Sequence, residues 1–548
     1  MAYKPPLMDL HIATTRRGFY SGFTRSVAIP SKILVSALIV WAITVPENAA
    51  SVLNALNGAM LSSFASWYIW VVALFLLLCI GLALVPSTGR LVLGLPDDKP
   101  EFSRFSWFSM MFGAGIGIGM LTFATAEPMY HFANNPNVIM GETTGSASSN
   151  VTAAYVWSFL HWGFSAWACY ALVGLSLAYF SYRRGLPLTV RSGLTPLFGK
   201  HLSGIGGHIV DIVAVVATIL GVAQTLGFGV EQFVAGLSRI GFGDWIISEN
   251  GKPSAMGIVV ALIVILGAST LSALSGVGKG IKWLSNLNMG LSFFLLAFFI
   301  IFGSTFFGLG SLVSGLSAYL VELPRMLFTV WHADGTETGD ALAAWQGGWS
   351  VFYWAWWIAF APFVGVFLAR ISRGRSIREY VLGAIVIPSL MCFVWFTIVG
   401  GTAIDLTLNA TAGDAISGAG QESQLFVMLD LILADGLAWG MAAIVVVLLL
   451  TYLVTTADSA ILIVNTINAA GEENPKGRAH IVFWGVALSL VVGGLLLVGG
   501  LNAIKTAMVI GALPFSFVMF LMCIALIKAV IRDAIRDKNG VQSFYVAE

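Results

Sequence analysis

Residues 112–127 read FGAGIGIGMLTFATAE, with glycines at 113, 115, 117 and 119 inside an otherwise apolar run. Each glycine in a helix interior costs up to about 1 kcal/mol relative to alanine. Four at alternate positions therefore invite a break. Within a bilayer, a broken helix is tolerated only where its freed amides and carbonyls face protein or a cavity. Transporters bind ions and substrates on such interruptions. The ordinary alternative is close helix packing through small residues. A dinucleotide-binding loop is excluded, because the spacing is not GxGxxG and no βαβ pattern surrounds it.

The surrounding chain supports a membrane setting. Of 548 residues, 58% are hydrophobic and only 10% charged, with a mean hydropathy of +0.87. Soluble domains carry roughly 25% charged residues, so this chain cannot solvate a globular surface. A net charge of +1 gives no handle for nucleic acid. With about 20 apolar residues per crossing, the windows place twelve spans, at 27–46, 66–85, 106–133, 151–181, 207–238, 255–274, 285–308, 348–369, 379–400, 437–468, 480–500 and 505–530. The fold class is an all-α polytopic membrane protein.

Charge sets the orientation. One set of loops, together with both tails, holds all the basic residues except Arg239, Lys252, Arg325 and Lys505. That side is cytoplasmic by the positive-inside rule, and both termini lie there. The N-terminal stretch carries Arg16, Arg17 and Arg25 with no apolar core before Ile29, and so reads as a tail and not a signal peptide. Cys79, Cys169, Cys392 and Cys523 each sit in an apolar run and read as small core residues. Residues 311–330 (SLVSGLSAYLVELPRMLFTV) read as an amphipathic helix in the outer interface, serving as a linker or a subunit contact.

Aromatic content is high for a plain membrane protein, with 18 Trp and 37 Phe. Residues 161–170 read HWGFSAWACY. Trp167 and Tyr170 are helical neighbours, but Trp162 is offset from Trp167 by about 140° on a regular helix. Only a pocket between helices or a local irregularity brings all three to one ligand. Residues 345–362 read WQGGWSVFYWAWWIAFAP, in which Tyr353, Trp357 and Phe360 share a face above Pro362. Trp345 and Trp349 read as belt residues at the outer mouth, and Trp354, Trp356 and Trp357 lie deeper. Such clusters are ordinarily packing or belt aromatics. A deep Trp cluster beside a helix break also suits a cage for a quaternary ammonium or sulfonium, held by cation–π attraction without a carboxylate.

Residues 451–459 read TYLVTTADS, placing Thr455, Thr456 and Ser459 among aliphatics with Asp458 at similar depth. Oxygen-only groups suit a hard cation, whereas the ordinary role of a buried Thr is to bond back to its own helix. Asp458, Asp211, Glu127 and Glu231 are costly in lipid and must face protein or water.

These residues resemble the betaine/carnitine/choline transporter (BCCT) family over about residues 25–530. The most specific parts are GIGIG at 115–119 with AEP at 126–128, HWG at 161–163, WAWWIAFAPFVGVFLARISRGRSIREYV at 354–381 and TTADS at 455–459. The resemblance implies a LeuT-like core of two inverted five-helix repeats behind two extra helices. The divisions are then a tail at 1–30, two peripheral helices at 31–105, a first repeat at 106–310, a linker helix at 311–347, a second repeat at 348–530 and a short tail at 531–548. It also implies a homotrimer in the bacterial inner membrane.

By position, the family's aromatic box falls on Trp162, Trp167, Tyr170 and Trp357. Trp354 and Trp356 flank the access route, and Phe360 stands where sodium-coupled betaine members carry Trp. The main sodium site falls on the backbone of Gly113, Ile116 and Tyr452 and the hydroxyls of Thr455 and Thr456. For a second sodium site Thr218 and Phe363 match, but Val222 replaces the other threonine. Val364 stands where sodium-independent exchangers place Met. Gly119 is acidic in some choline carriers, so its identity here favours a zwitterion such as glycine betaine or dimethylsulfoniopropionate. The chain ends 18 residues after Val530, shorter than the charged tails of osmosensing members.

The expected activity is sodium-coupled uptake of an onium zwitterion. Proton-coupled choline or carnitine uptake, or exchange, is the alternative on the same scaffold. No cofactor is called for beyond the coupling ion. An intramembrane enzyme built on His161 and Glu127 lacks any HExxH or nucleophile motif. A channel on the same core would equilibrate its solute without concentrating it.

Overall fold

The computed structural model describes residues 4–115, 117–275, 280–472 and 477–545, with side chains at all of these except 112–115, 275 and 280–282. Among them the chain is helical, and its only β pairings are isolated bridges. Among the described residues, eleven helices are long and apolar enough to cross a membrane.

The glycine run breaks the chain as its composition demands. One helix, Arg104–Gly115, stops there and another, Ile118–Ala133, starts after Gly117. Neither piece is a span by itself. The last segment, Arg478–Lys538, is two helices that meet at a kink, where Gly499 and Gly500 have non-helical angles. Thr305–Met326 is long and apolar enough to add to the count.

Two boundaries depart from the hydropathy windows. The second helix runs from Pro46 to Leu84 and not over 66–85 alone. Its added half, PENAASVLNALNGAMLSSFA, is too polar for a hydropathy window, but alanine and leucine give it good helix propensity. The helix after residue 300 starts at Thr305. It buries Gly308, Gly315 and Tyr319 and leaves Phe306, Val313 and Leu320 exposed. A Cβ on Gly315 would lie 2.9 Å from Tyr155 Cβ, so glycine permits its close approach to helix Val151–Trp162.

The Trp-rich helix Phe352–Ile371 packs most extensively against Phe164–Ala178 and Ile205–Arg239. Small residues set both crossings. A Cβ on Gly174 would stand 3.1 Å from Gly365 O, and one on Gly221 would stand 3.0 Å from the Ala359 backbone. Lipid gives no hydrophobic drive between helices, so such backbone approach supplies the packing energy. These two contacts fix Trp356 and Trp357 against their neighbours.

Several buried charges are paired. Arg191 Nε donates to Asp211 Oδ2 at 2.7 Å, with both side chains inaccessible. Arg184 and Arg536 both reach the buried Asp533, at 2.8 and 2.6 Å. The N-terminal stretch is packed and not a free tail. Phe23 stacks on His480 at 4.1 Å, and Thr24 N–H donates to Asn468 O at 2.8 Å. A loop carboxylate, Asp98, sits below the usual carboxylate range: slight burial acts against this, but hydrogen bonds from Arg373 and the Leu95 amide outweigh it.

Candidate functional site

Three segments meet around the Trp-rich helix: Ile118–Ala133, the pair Val151–Trp162 and Phe164–Ala178, and Phe352–Ile371 itself. The irregularity required to gather the first aromatic set is present. The helix stops at Trp162, Gly163 adopts φ −96° and ψ −141°, and a new helix starts at Phe164. A Cβ at Gly163 would fall 2.8 Å from the Phe393 ring and 2.9 Å from Tyr319 Oη, so the break is also a point of tight packing.

Trp357 is the hub of the cluster. Its ring meets Trp162 edge to face with centroids 5.0 Å apart at 75°, and Tyr170 at 5.9 Å and 82°. Tyr170 in turn meets Trp167 at 5.4 Å and 78°. Rings at such angles present π-faces from different directions, as an aromatic cage requires. None of these four side chains is more than 6% exposed. Trp356 stacks on Trp357 at 5.0 Å and 9°. Phe360, half-buried, continues the series at 6.4 Å from Tyr170 and touches Phe363 at 4.9 Å.

Gly119 forms the floor. A Cβ there would lie 3.0 Å from Trp162 Cη2 and 3.2 Å from Trp356 Cη2. The glycine run therefore does two things: its middle breaks the helix, and its last member lets two indoles approach the backbone.

Two other tryptophans of the 345–362 stretch sit apart from these four rings. Trp354 faces the His161 ring at 6.0 Å and lines a crevice with Trp157, Trp331 and Ser350. Trp345 is no belt residue. It is 5% exposed and packs on His131, His161 and Trp157. The preceding helix, Glu337–Gln346, carries it inward, a turn that hydropathy did not show.

The indole N–H groups are held individually. Trp162 Nε1 donates to Glu127 Oε2 at 2.6 Å, Trp357 Nε1 to His161 O at 2.9 Å and Trp356 Nε1 to Thr225 Oγ1 at 3.1 Å. Tyr353 Oη also donates to Glu127 Oε2. His161 bridges Glu127 Oε1 (2.8 Å) and Ser350 Oγ (3.0 Å). His131 Nε2 stands 3.4 Å from Glu127 Oε1, without hydrogen-bond geometry. From sequence, Glu127 stands as a costly carboxylate, as a candidate proton carrier and as half of a weakly supported enzyme pair with His161. Sequence reading did not see Thr225 or Ser350 at all. The usable signal was chemical: deep indole N–H groups need acceptors.

The hydroxyl cluster is placed as follows. Thr455 and Thr456 are half-buried. Thr455 Oγ1 donates to Thr451 O at 2.9 Å and accepts from Asn288 Nδ2 at 3.0 Å. Tyr452 Oη pairs with Ser292 at 2.9 Å. Gly113 lies near the end of its helix, and Ile116 is outside the described residues. Thr218 donates to Ala214 O at 2.7 Å, and Val222 is buried and offers no side-chain oxygen. Asp458 accepts from Ser272 at 2.7 Å and Ser459 at 3.1 Å.

Comparison with known proteins bears on this arrangement. The family model "BCCT, betaine/carnitine/choline family transporter" matches residues 26–535. An uncharacterized transporter of Mycobacterium tuberculosis is 38% identical over 510 residues, covering 92% of this chain and 82% of that protein. The betaine/ectoine transporter LcoP of Corynebacterium glutamicum is 37% identical over 526 residues, 94% of this chain and 80% of its own. The glycine betaine transporter OpuD of Bacillus subtilis is 35% identical over 502 residues, 91% and 93% respectively.

Proposed function

This chain belongs to the betaine/carnitine/choline transporter family, and from that premise we propose that it imports a methylated onium zwitterion, such as glycine betaine or dimethylsulfoniopropionate, by sodium symport. The observation that carries this reading is the edge-to-face set of Trp162, Trp167, Tyr170 and Trp357 beside a broken helix. Such rings attract a diffuse cation by their quadrupoles. No side-chain carboxylate is part of the ring set itself, which leaves room for a substrate that brings its own.

Twelve spans result when the glycine-rich pair is counted as one and the last segment is divided at Gly499 and Gly500, and in our reading they form two five-helix repeats behind two extra helices. Thr305–Met326 then lies in the outer interface. Its exposed stripe of Phe306, Val313 and Leu320 is the contact face of a homotrimer in the inner membrane, with both termini in the cytoplasm. Sodium binds through the Tyr452 carbonyl and the Thr455 and Thr456 hydroxyls together with the backbone near Gly113 and Ile116. The second site keeps Thr218 and Phe363 but lacks a hydroxyl at 222. Proton coupling is the second reading, supported by buried Asp458 with its two serine partners.

Purified protein in proteoliposomes tests the proposal. Labelled glycine betaine should accumulate above equilibrium under an inward sodium gradient and show counterflow. Equilibration without accumulation would indicate a channel. Accumulation driven only by a pH gradient would indicate proton coupling.

A further inference from the structure

The aromatic box has a buried carboxylate behind its wall. Glu127 is fully inaccessible. Its Oε2 accepts the Trp162 indole N–H at 2.6 Å and also the Tyr353 hydroxyl. Its Oε1 meets His161 Nδ1 at 2.8 Å, and the carbonyl of that same histidine accepts the Trp357 indole N–H. Both principal walls of the box thus end, at their indole N–H edges, on Glu127 or on the residue bonded to it.

We propose that Glu127 is the specificity-determining counter-charge of the onium site, acting through the indole of Trp162 without touching the ligand. The proposal rests on the onium-transport reading above. Two physical effects follow from the geometry. An indole that donates to a carboxylate is polarised toward its ring, which deepens the negative potential of the π-face. A unit negative charge in a low-dielectric interior also attracts a cation across the ring's width. The site is therefore not charge-free: the carboxylate that part of a cation cage would supply by contact is moved one ring back. There it cannot meet the substrate's own carboxylate.

The proton bookkeeping agrees with an acceptor role. Indole N–H and phenol O–H both point at Oε2. His161 can donate from Nδ1 to Oε1 while Nε2 accepts from Ser350. An acceptor-only carboxylate satisfies all of these. The titratable groups facing Glu127 are His131 on its own helix, His161 on the neighbouring helix and Tyr353 on the Trp-rich helix. Among the contacts of the described residues, no Lys or Arg pairs with it.

Glu127→Gln is the decisive variant, because an amide oxygen can still accept from Trp162 and Tyr353 while the charge is removed. The measurement is the ratio of affinities of purified, membrane-reconstituted protein for glycine betaine and for 3,3-dimethylbutanoate, its isostere with carbon in place of N⁺. The ratio should fall about tenfold in Glu127→Gln, the order expected of a unit charge about 10 Å away at an effective dielectric near 20. Tyr353→Phe, which leaves the charge and removes one bond to it, should keep the wild-type ratio even if both affinities drop. An unchanged ratio in Glu127→Gln, or an equal fall for both ligands, would overturn the proposal, as would a collapsed ratio in Tyr353→Phe. Wild-type protein with no preference for glycine betaine would instead refute the onium reading on which it rests.

Discussion

The rings of Trp162 and Trp357 meet edge to face with centroids 5.0 Å apart at 75°, although they come from helices far apart in sequence. Two backbone features create this meeting. Gly163 ends the first helix directly after Trp162, and Gly221 and Gly365 let the Trp-rich helix settle between its neighbours. The pair is a product of backbone shape as much as of aromatic content.

Gly119 is the position where one added carbon should be felt at the site. Its Cβ would press on Trp162 and Trp356 at 3.0 and 3.2 Å. Overpacking of this kind costs about 1–3 kcal/mol. Gly119→Ala should therefore weaken glycine betaine binding at least about fivefold, the equivalent of about 1 kcal/mol. Binding isotherms on purified protein check this, and wild-type affinity would mean the rings yield freely.

Removing the hydroxyls of Thr455 and Thr456 together should raise the sodium concentration needed for half-maximal uptake. Thr455 also bonds to Thr451 O and Asn288, so the double Ala variant needs a stability control by thermal unfolding. An unchanged sodium dependence would move the coupling role to a proton carrier, with Asp458 as the first candidate.

Arg191 and Asp211 should behave as a unit. Both are inaccessible and 2.7 Å apart. Breaking a buried pair by removing one partner costs about 3–5 kcal/mol, because an unpaired charge stays behind. Arg191→Leu alone should lower the unfolding temperature in detergent strongly, and adding Asp211→Leu should restore most of it. Equal losses in the single and double variants would show that packing, not charge pairing, matters there.

The exposed face of Thr305–Met326 gives a test of assembly. Val313 is 68% exposed. In the homotrimer proposed above, Val313→Asp should produce smaller species in mass measurements on detergent-solubilised protein. A trimer unaffected by this change would place the contact elsewhere.

Much of this was legible in the chain. That the helix ending at Gly115 does not run on into the one starting at Ile118 could be read from alternating glycines, since each lowers helix stability by a known amount. The face shared by Tyr353 and Trp357 could be read from helical spacing, and the rings stack at 5.6 Å. The inward position of Trp345 could not, because its helix is short and weakly apolar and tertiary packing decides its direction. The polar extension of the second helix was missed for a related reason: hydropathy reports burial in lipid, not helix formation. Glu127 was visible as a costly carboxylate and a candidate acid–base or proton-carrying group, but not as the acceptor of the ring edges. Its partners come from two other helices, and no spacing rule in one chain links positions 127, 162 and 353.

The most direct test of the account is the binding of glycine betaine to purified Trp357→Ala protein, measured by calorimetry beside wild type. Trp357 joins Trp162 and Tyr170, so its removal opens the cage. The account predicts a folded variant, with assembly unchanged, and no measurable binding. Wild-type affinity in that variant would contradict it.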